Sequence, residues 1–199
     1  MWIEPLIPLI LFALVATATP GAATTIATAS GAQFGFRRSI PVMLGSACGL
    51  AALGLTSGAG LAGLLLAVPT VQGAMKLAGS AYLIWLGWKI SRSGAPRPLT
   101  EQARPIRFIG GAGLLWLNPK GWAMTLSAAA SFAALAGGPG QLGLLLGATF
   151  GLTALASLFL WCAAGLLLRR LLQSERQWRA LNIMLGLLLV ASIIPMWLE

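Results

Sequence analysis

Six long apolar runs alternate with short polar stretches along the chain. The first extends from about Pro5 to Ala29 and closes at Gly31, Gly35 and the pair Arg37-Arg38. The second covers about Ile40 to Ala67 and ends near Pro69, and the third about Val71 to Ile90. A Pro- and charge-rich stretch, Ser91 to Arg107, precedes the fourth run, about Phe108 to Leu135, which Asn118-Pro119-Lys120 interrupts. The fifth, about Gln141 to Leu168, follows Gly137-Gly138-Pro139-Gly140, and the sixth, about Leu181 to Leu198, follows a basic linker from Arg169 to Arg179. Each run approaches the roughly 20 residues that a bilayer-spanning helix needs. The pattern predicts an all-α membrane protein with six transmembrane helices in one domain, residues 1–199. It shows no solenoid period and no low-complexity tail.

Composition agrees with the pattern: 58% of residues are hydrophobic and 9% charged, against about a quarter charged in a soluble domain. The net charge of +9 raises nucleic acid as a partner, but the basic residues form no single patch. They cluster between runs: Arg37 and Arg38; then Arg92, Arg97, Arg104 and Arg107, with Lys89 at the edge; then Arg169, Arg170, Arg176 and Arg179. The other two loops hold no Lys or Arg. With six spans all three clusters fall on one face, the cytoplasmic one, and both termini lie outside. Five spans would scatter the clusters over both faces. Met1-Trp2-Ile3-Glu4 has no basic segment of the kind that opens a cleaved signal peptide, so the first run reads as a retained span. Trp2, Trp85, Trp88, Trp178 and Trp197 lie near run ends, as interfacial anchors do.

The available side chains exclude much chemistry. The chain has no histidine, which removes the commonest metal ligand and general base. Cys48 and Cys162 lie inside apolar runs and read as small buried residues, with no disulfide implied. No carboxylate falls within a run. Neither a metal site nor a cofactor is expected, metal-ion efflux lacks its ligands, and an enzyme would have only Ser–Lys chemistry, such as Lys120 with a nearby serine.

The halves resemble each other. Thr19-Pro20-Gly21 breaks the first run and Asn118-Pro119-Lys120 the fourth, while Leu44-Gly45-xxx-Gly49-Leu50 in the second run recurs as Leu146-Gly147-xxx-Gly151-Leu152 in the fifth. Three runs per half is an odd number, so the second copy enters from the opposite face. The expectation is two inverted three-helix repeats, about residues 1–92 and 105–199, with broken first and fourth helices, a build common among secondary transporters. The glycine frames read as close packing between spans of one chain, with homodimer formation as their alternative use. Thr or Asn followed by Pro is a helix-start signal, with the former as N-cap and Pro at the first helical position. Pro119 lies about 11 residues past the cytoplasmic edge, roughly 16 Å at 1.5 Å per residue, near the middle of the bilayer. Each break is then either a half-helix N-terminus that attracts anions or a simple proline kink capped by neighbouring hydroxyls. Thr19, Pro20, Gly21, Asn118, Pro119 and Lys120 are therefore the candidate substrate-binding residues. Lys120 is the sharpest, because an intramembrane charge is costly and no run offers it an acidic partner. It is either neutral through desolvation, bonded to opened backbone carbonyls, or partnered by a substrate carboxylate. Lys76 lies near enough to a run end to snorkel. Thr24, Thr25, Thr28, Ser30, Thr125, Ser127 and Ser131 follow the breaks and are candidates for a polar path, although such hydroxyls also bond their own helix.

These residues carry a family resemblance over essentially the full length. Thr19-Pro20-Gly21, Gly35-Phe36-Arg37-Arg38-Ser39, Leu44-Gly45-xxx-Gly49, Lys76-xx-Gly79-xx-Tyr82-Leu83-xxx-Leu86-Gly87-Trp88-Lys89 and Leu117-Asn118-Pro119-Lys120 occur in an order and spacing that resemble the lysine exporter (LysE/RhtB) family. The resemblance implies a six-span protein of the bacterial cytoplasmic membrane, in contact with lipid. It also implies a small-molecule substrate: export of amino acids or their derivatives, driven by the proton gradient. One departure stands out. The family's first motif continues with Pro and often Asn, where this chain has Ala22 and Ala23. A non-transporting scaffold and an exporter of another small solute are the rival readings.

Overall fold

The computed structural model describes residues 4–60, 68–92, 95, 105–191 and 193–194. Among these residues the regular elements are all helical: α1 (Ile7–Ala18), α2 (Ala22–Phe34), α3 (Phe36–Gly58), α4 (Pro69–Ser91), α5 (Phe108–Trp116), α6 (Pro119–Ser131), α7 (Pro139–Leu171) and α8 (Glu175–Ala191). Single 3-10 turns cover Glu4–Leu6 and Ala133–Leu135.

The longest helix shows which solvent the fold is built for. α7 has 33 residues, about 50 Å at 1.5 Å per residue. One face, with Leu142, Leu146, Phe150, Leu158 and Cys162, is buried in the core. The opposite face carries Leu144, Leu152 and Leu160, which are 66%, 70% and 73% exposed. A helix on a water-soluble surface is polar where it is exposed; this one is apolar all round. α3 and α7 are each long and apolar enough to cross a membrane, and α1 with α2, bent by 58°, passes the same test as a pair, the form of a broken span or a re-entrant loop.

The core forms by backbone-to-backbone approach at glycines, as expected of packing within one chain. Between α3 and α7, a Cβ at Gly58 would lie 2.6 Å from Gly143 Cα, and one at Gly54 would lie 2.9 Å from the Leu146 carbonyl oxygen. α5 covers another part of α3, where a Cβ at Gly49 would lie 2.8 Å from the Ala112 carbonyl oxygen. α4 meets α8 where a Cβ at Gly87 would lie 2.9 Å from the Gly186 carbonyl oxygen. The two glycine frames of the sequence have different partners. Gly45 and Gly49 face α5, whereas Gly147 and Gly151 face α3.

Several boundaries differ from the sequence pattern, each for a local reason. α3 starts at Phe36, not Ile40, because Gly35 adopts φ +80 and turns the chain without a loop, a conformation that favours glycine. Arg37 and Arg38 thus lie exposed in the first turn of α3. The basic linker is mostly helix: Arg169 and Arg170 end α7, and Arg176 and Arg179 belong to α8. The actual break is residues 172–174. There the Gln177 side chain accepts from the Gln173 and Ser174 N–H groups at 2.9 and 3.1 Å, and Ser174 Oγ accepts from Gln177 N–H at 3.3 Å. That reciprocal pair is a capping box, Ser-x-x-Gln. Trp178 is buried against Leu181 and Leu185 and is no interfacial anchor. Trp85 and Trp88 are exposed, with Lys89 Nζ 5.1 Å and Arg92 Cζ 4.7 Å from their respective ring centres. Trp2 and Trp197 lie outside the described residues. Cys162 is buried as expected, but Cys48 is exposed, and both are free thiols.

Candidate transport site

The two breaks are built differently. α1 ends because residue 20 is proline. Thr19, like most residues before proline, is extended (φ −60, ψ 130). Its N–H and its hydroxyl both donate to the Val15 carbonyl, at 3.0 and 2.6 Å. α2 starts two residues after Pro20, at Ala22, with Gly21 as N-cap. Thr24 Oγ1 accepts from the Gly21 N–H at 2.8 Å and donates to the Gly21 carbonyl at 3.0 Å. This corrects the expected roles of Thr19 as N-cap and Pro20 as first helical residue: the Thr19 hydroxyl is committed to α1, and Thr24 caps α2. The second break follows the expected form. Asn118 is the N-cap, and its side chain accepts from the Lys120 N–H at 3.1 Å.

The fold brings these breaks together although they are about a hundred positions apart. Lys120 Nζ donates to the Thr19 carbonyl at 3.0 Å, so one partner of the ammonium is an opened backbone carbonyl. Two neighbouring carbonyls at the same end of α1 are met from α7: Ser157 Oγ donates to Thr17 O at 2.9 Å and Trp161 Nε1 to Ala18 O at 3.2 Å. The last turn of a helix has no intrahelical donors for its carbonyls, and within a bilayer each must find a partner. In the second break Trp122 Nε1 donates to Trp116 O at 2.8 Å, with the two rings edge to face at 5.4 Å.

A cavity of about 40 Å³ lies between the breaks, enough for a few water molecules. Thr19, Gly21, Asn118 and Lys120 border it. Pro20 shapes the first break, and the Pro119 side chain lies outside the described residues. Ala22 and Ala23 form part of the wall. Among the described bordering residues Lys120 is the only titratable one, and it is half-buried.

The hydroxyls do not line up as a path. Thr24 borders the cavity. Thr28 bonds back to Thr24 O, Ser30 pairs with Ser39 at 2.7 Å, and Thr125 receives a bond from Ser57 at 2.8 Å. Thr25 is buried, and Ser127 and Ser131 are exposed. The Lys76 side chain lies outside the described residues. The sequence did not single out Ser157, Trp161 or Trp122. Its one trace of the α7 pair is their four-residue spacing, which puts both on one face of the helix.

Bilayer-length apolar helices, with a bent pair broken beside a small cavity where Lys120 is the one titratable residue among the described bordering residues, mark a membrane protein. The chain belongs to the LysE-type translocator family, whose model matches residues 14–192. It is 33% identical over 188 residues to the cysteine/O-acetylserine efflux proteins of Escherichia coli (strain K12) and Shigella flexneri, covering 90% of this chain and 90% of each relative. No solved structure matches the chain. Membership makes the protein a membrane translocator and not an enzyme.

Proposed function

We propose that this translocator exports small amino acids or close derivatives from the bacterial cytoplasm across the inner membrane, in exchange for protons. The observation that carries the reading is the Lys120–Thr19 contact, which unites the two broken segments around one cavity. A lysine in a membrane interior is retained for function more often than for stability, and its three N–H donors suit a carboxylate. Thr19, Gly21, Asn118 and Lys120 are the proposed binding residues, with Pro20 and Pro119 fixing the breaks. The names of the relatives make cysteine and O-acetylserine the first substrates to try. Since Lys120 is the titratable group at the cavity, coupling to protons runs through its ammonium or through the substrate itself.

The proposal includes the six-span, inverted-repeat arrangement. Spans one and four are the broken pairs α1–α2 and α5–α6, and the others are α3, α4, α7 and α8. The basic clusters are placed in the cytoplasm and both termini outside, in agreement with the exposed arginines at the starts of α3 and α8 and the end of α7.

Uptake of labelled cysteine, O-acetylserine and a neutral amino-acid panel into inside-out vesicles tests the function. Uptake that depends on the translocator and collapses with a protonophore is expected. Uptake equal to that of empty vesicles for the whole panel contradicts it.

A further inference from the structure

The cavity's chemistry is one-sided, and this bears on how a substrate is held. The Lys120 ammonium lies 3.0 Å from the Thr19 carbonyl oxygen. The protein thus already holds an ammonium–carbonyl pair of the kind that the amino group of a substrate forms. Thr19 O has no helical successor to bond, because α1 stops there. The other two carbonyls of that end have donors on α7, a serine hydroxyl and an indole N–H, whose side chains have one and two rotatable bonds before the donor group. The donor to Thr19 is different: it sits at the tip of a flexible four-carbon stem. It is the donor that can leave.

We propose that a substrate zwitterion exchanges with this internal pair. Its carboxylate takes the Lys120 ammonium, and its own ammonium takes the Thr19 carbonyl that Lys120 vacates. Charge is conserved at the carbonyl, where one ammonium replaces another, so no polar group is left unpaired in the low-dielectric interior. Removal of Lys120 from Thr19 also unfastens the first break from the second, which lets the site open as it fills. The side chain of the substrate meets Leu50, Leu115, Met124 and Leu158, and no carboxylate among the described bordering residues is available to a second cation. A basic side chain would face repulsion from Lys120 in a medium that screens poorly. The recognised class is therefore an α-amino acid with both backbone groups free and a small uncharged side chain. This rests on the export function proposed above.

The test is competition for uptake of labelled cysteine into inside-out vesicles carrying the full chain. O-Acetylserine and N-acetylserine form an isomeric pair that differs in whether the α-amine is free. Serine amide blocks the carboxylate, and lysine adds a side-chain cation. In the wild-type protein, O-acetylserine competes, while N-acetylserine, serine amide and lysine are each weaker by about tenfold or more, a deficit typical of a missing charged hydrogen bond. In Lys120→Met, residual uptake no longer distinguishes serine from serine amide but still rejects N-acetylserine. N-Acetylserine competing as well as O-acetylserine in the wild type would overturn the exchange while leaving amino-acid export standing. Equal competition by lysine would overturn the side-chain limit. Absence of uptake for every free amino acid would overturn the export function, and the exchange with it.

Discussion

On the proposed site, Lys120 joins stability and transport in one side chain. Its bond to Thr19 O caps a carbonyl that a membrane interior would otherwise leave bare. Loss of that bond in Lys120→Met should destabilise the protein by about 1 kcal/mol, below the usual range for a charged hydrogen bond because the ammonium is only half-buried. In a chain of this size this corresponds to a fall of roughly 2–4 °C in melting temperature, measurable by a thermal scan in detergent. An unchanged melting point would mean that the bond contributes nothing. Asn118 has a plainer role. Its side chain accepts the Lys120 N–H, so Asn118→Ala should cost about 1 kcal/mol as a lost N-cap, while Asn118→Asp should retain most of the stability in the same scan.

The break between α1 and α2 is held by α7 as well as set by its own proline. Ser157 and Trp161, one turn apart, hold two successive carbonyls of α1. Ser157→Ala should leave Thr17 O, in a buried residue, without its donor at a cost of about 1–3 kcal/mol, and Ser157→Thr should restore most of it, as read by detergent melting. The glycine contacts are less forgiving. A leucine at Gly49 would drive its Cβ into the Ala112 carbonyl, and one at Gly151 would strike Ala51. Both variants should fail to accumulate as monodisperse protein in size-exclusion chromatography, Gly49→Leu more severely because its obstacle is backbone. Normal yield of both would show that these approaches are incidental. The sequence made such features legible to different degrees. Asn118-Pro119 announced its helix start because the cap and the proline are adjacent in the chain, and the glycine frames announced close packing because their spacing is local. Thr19-Pro20 misled because the same dipeptide form can end a helix as well as begin one, and the choice was made by the Thr24 hydroxyl four residues beyond Pro20. The start of α8 at Glu175 was missed because its cap, Ser174 and Gln177, sits inside a run of charged residues that reads as a linker. The contacts of Ser157, Trp161 and Lys120 with α1 are all long-range, between residues 101 to 143 positions apart, and no local pattern could register them.

In the proposed topology the basic residues orient the molecule. Arg37, Arg38, Arg169, Arg170, Arg176 and Arg179 are exposed at helix ends, and the positive-inside tendency is the reason those ends are proposed to face the cytoplasm. A phosphatase or fluorescent reporter fused after the last residue should therefore report the extracytoplasmic side; a cytoplasmic signal would remove the six-span arrangement. In that proposed topology Lys120, the one titratable residue among the described residues that border the cavity, is asked to receive the substrate. Initial uptake of labelled cysteine into inside-out vesicles, compared between the wild type and Lys120→Met at matched amounts of folded protein, examines this directly. The proposed site predicts that the variant falls to about a tenth of the wild-type rate or less, as for other lost charged contacts. Lys120→Arg, which keeps the charge but changes the donor geometry, should be impaired as well. Wild-type uptake by Lys120→Met would contradict the site.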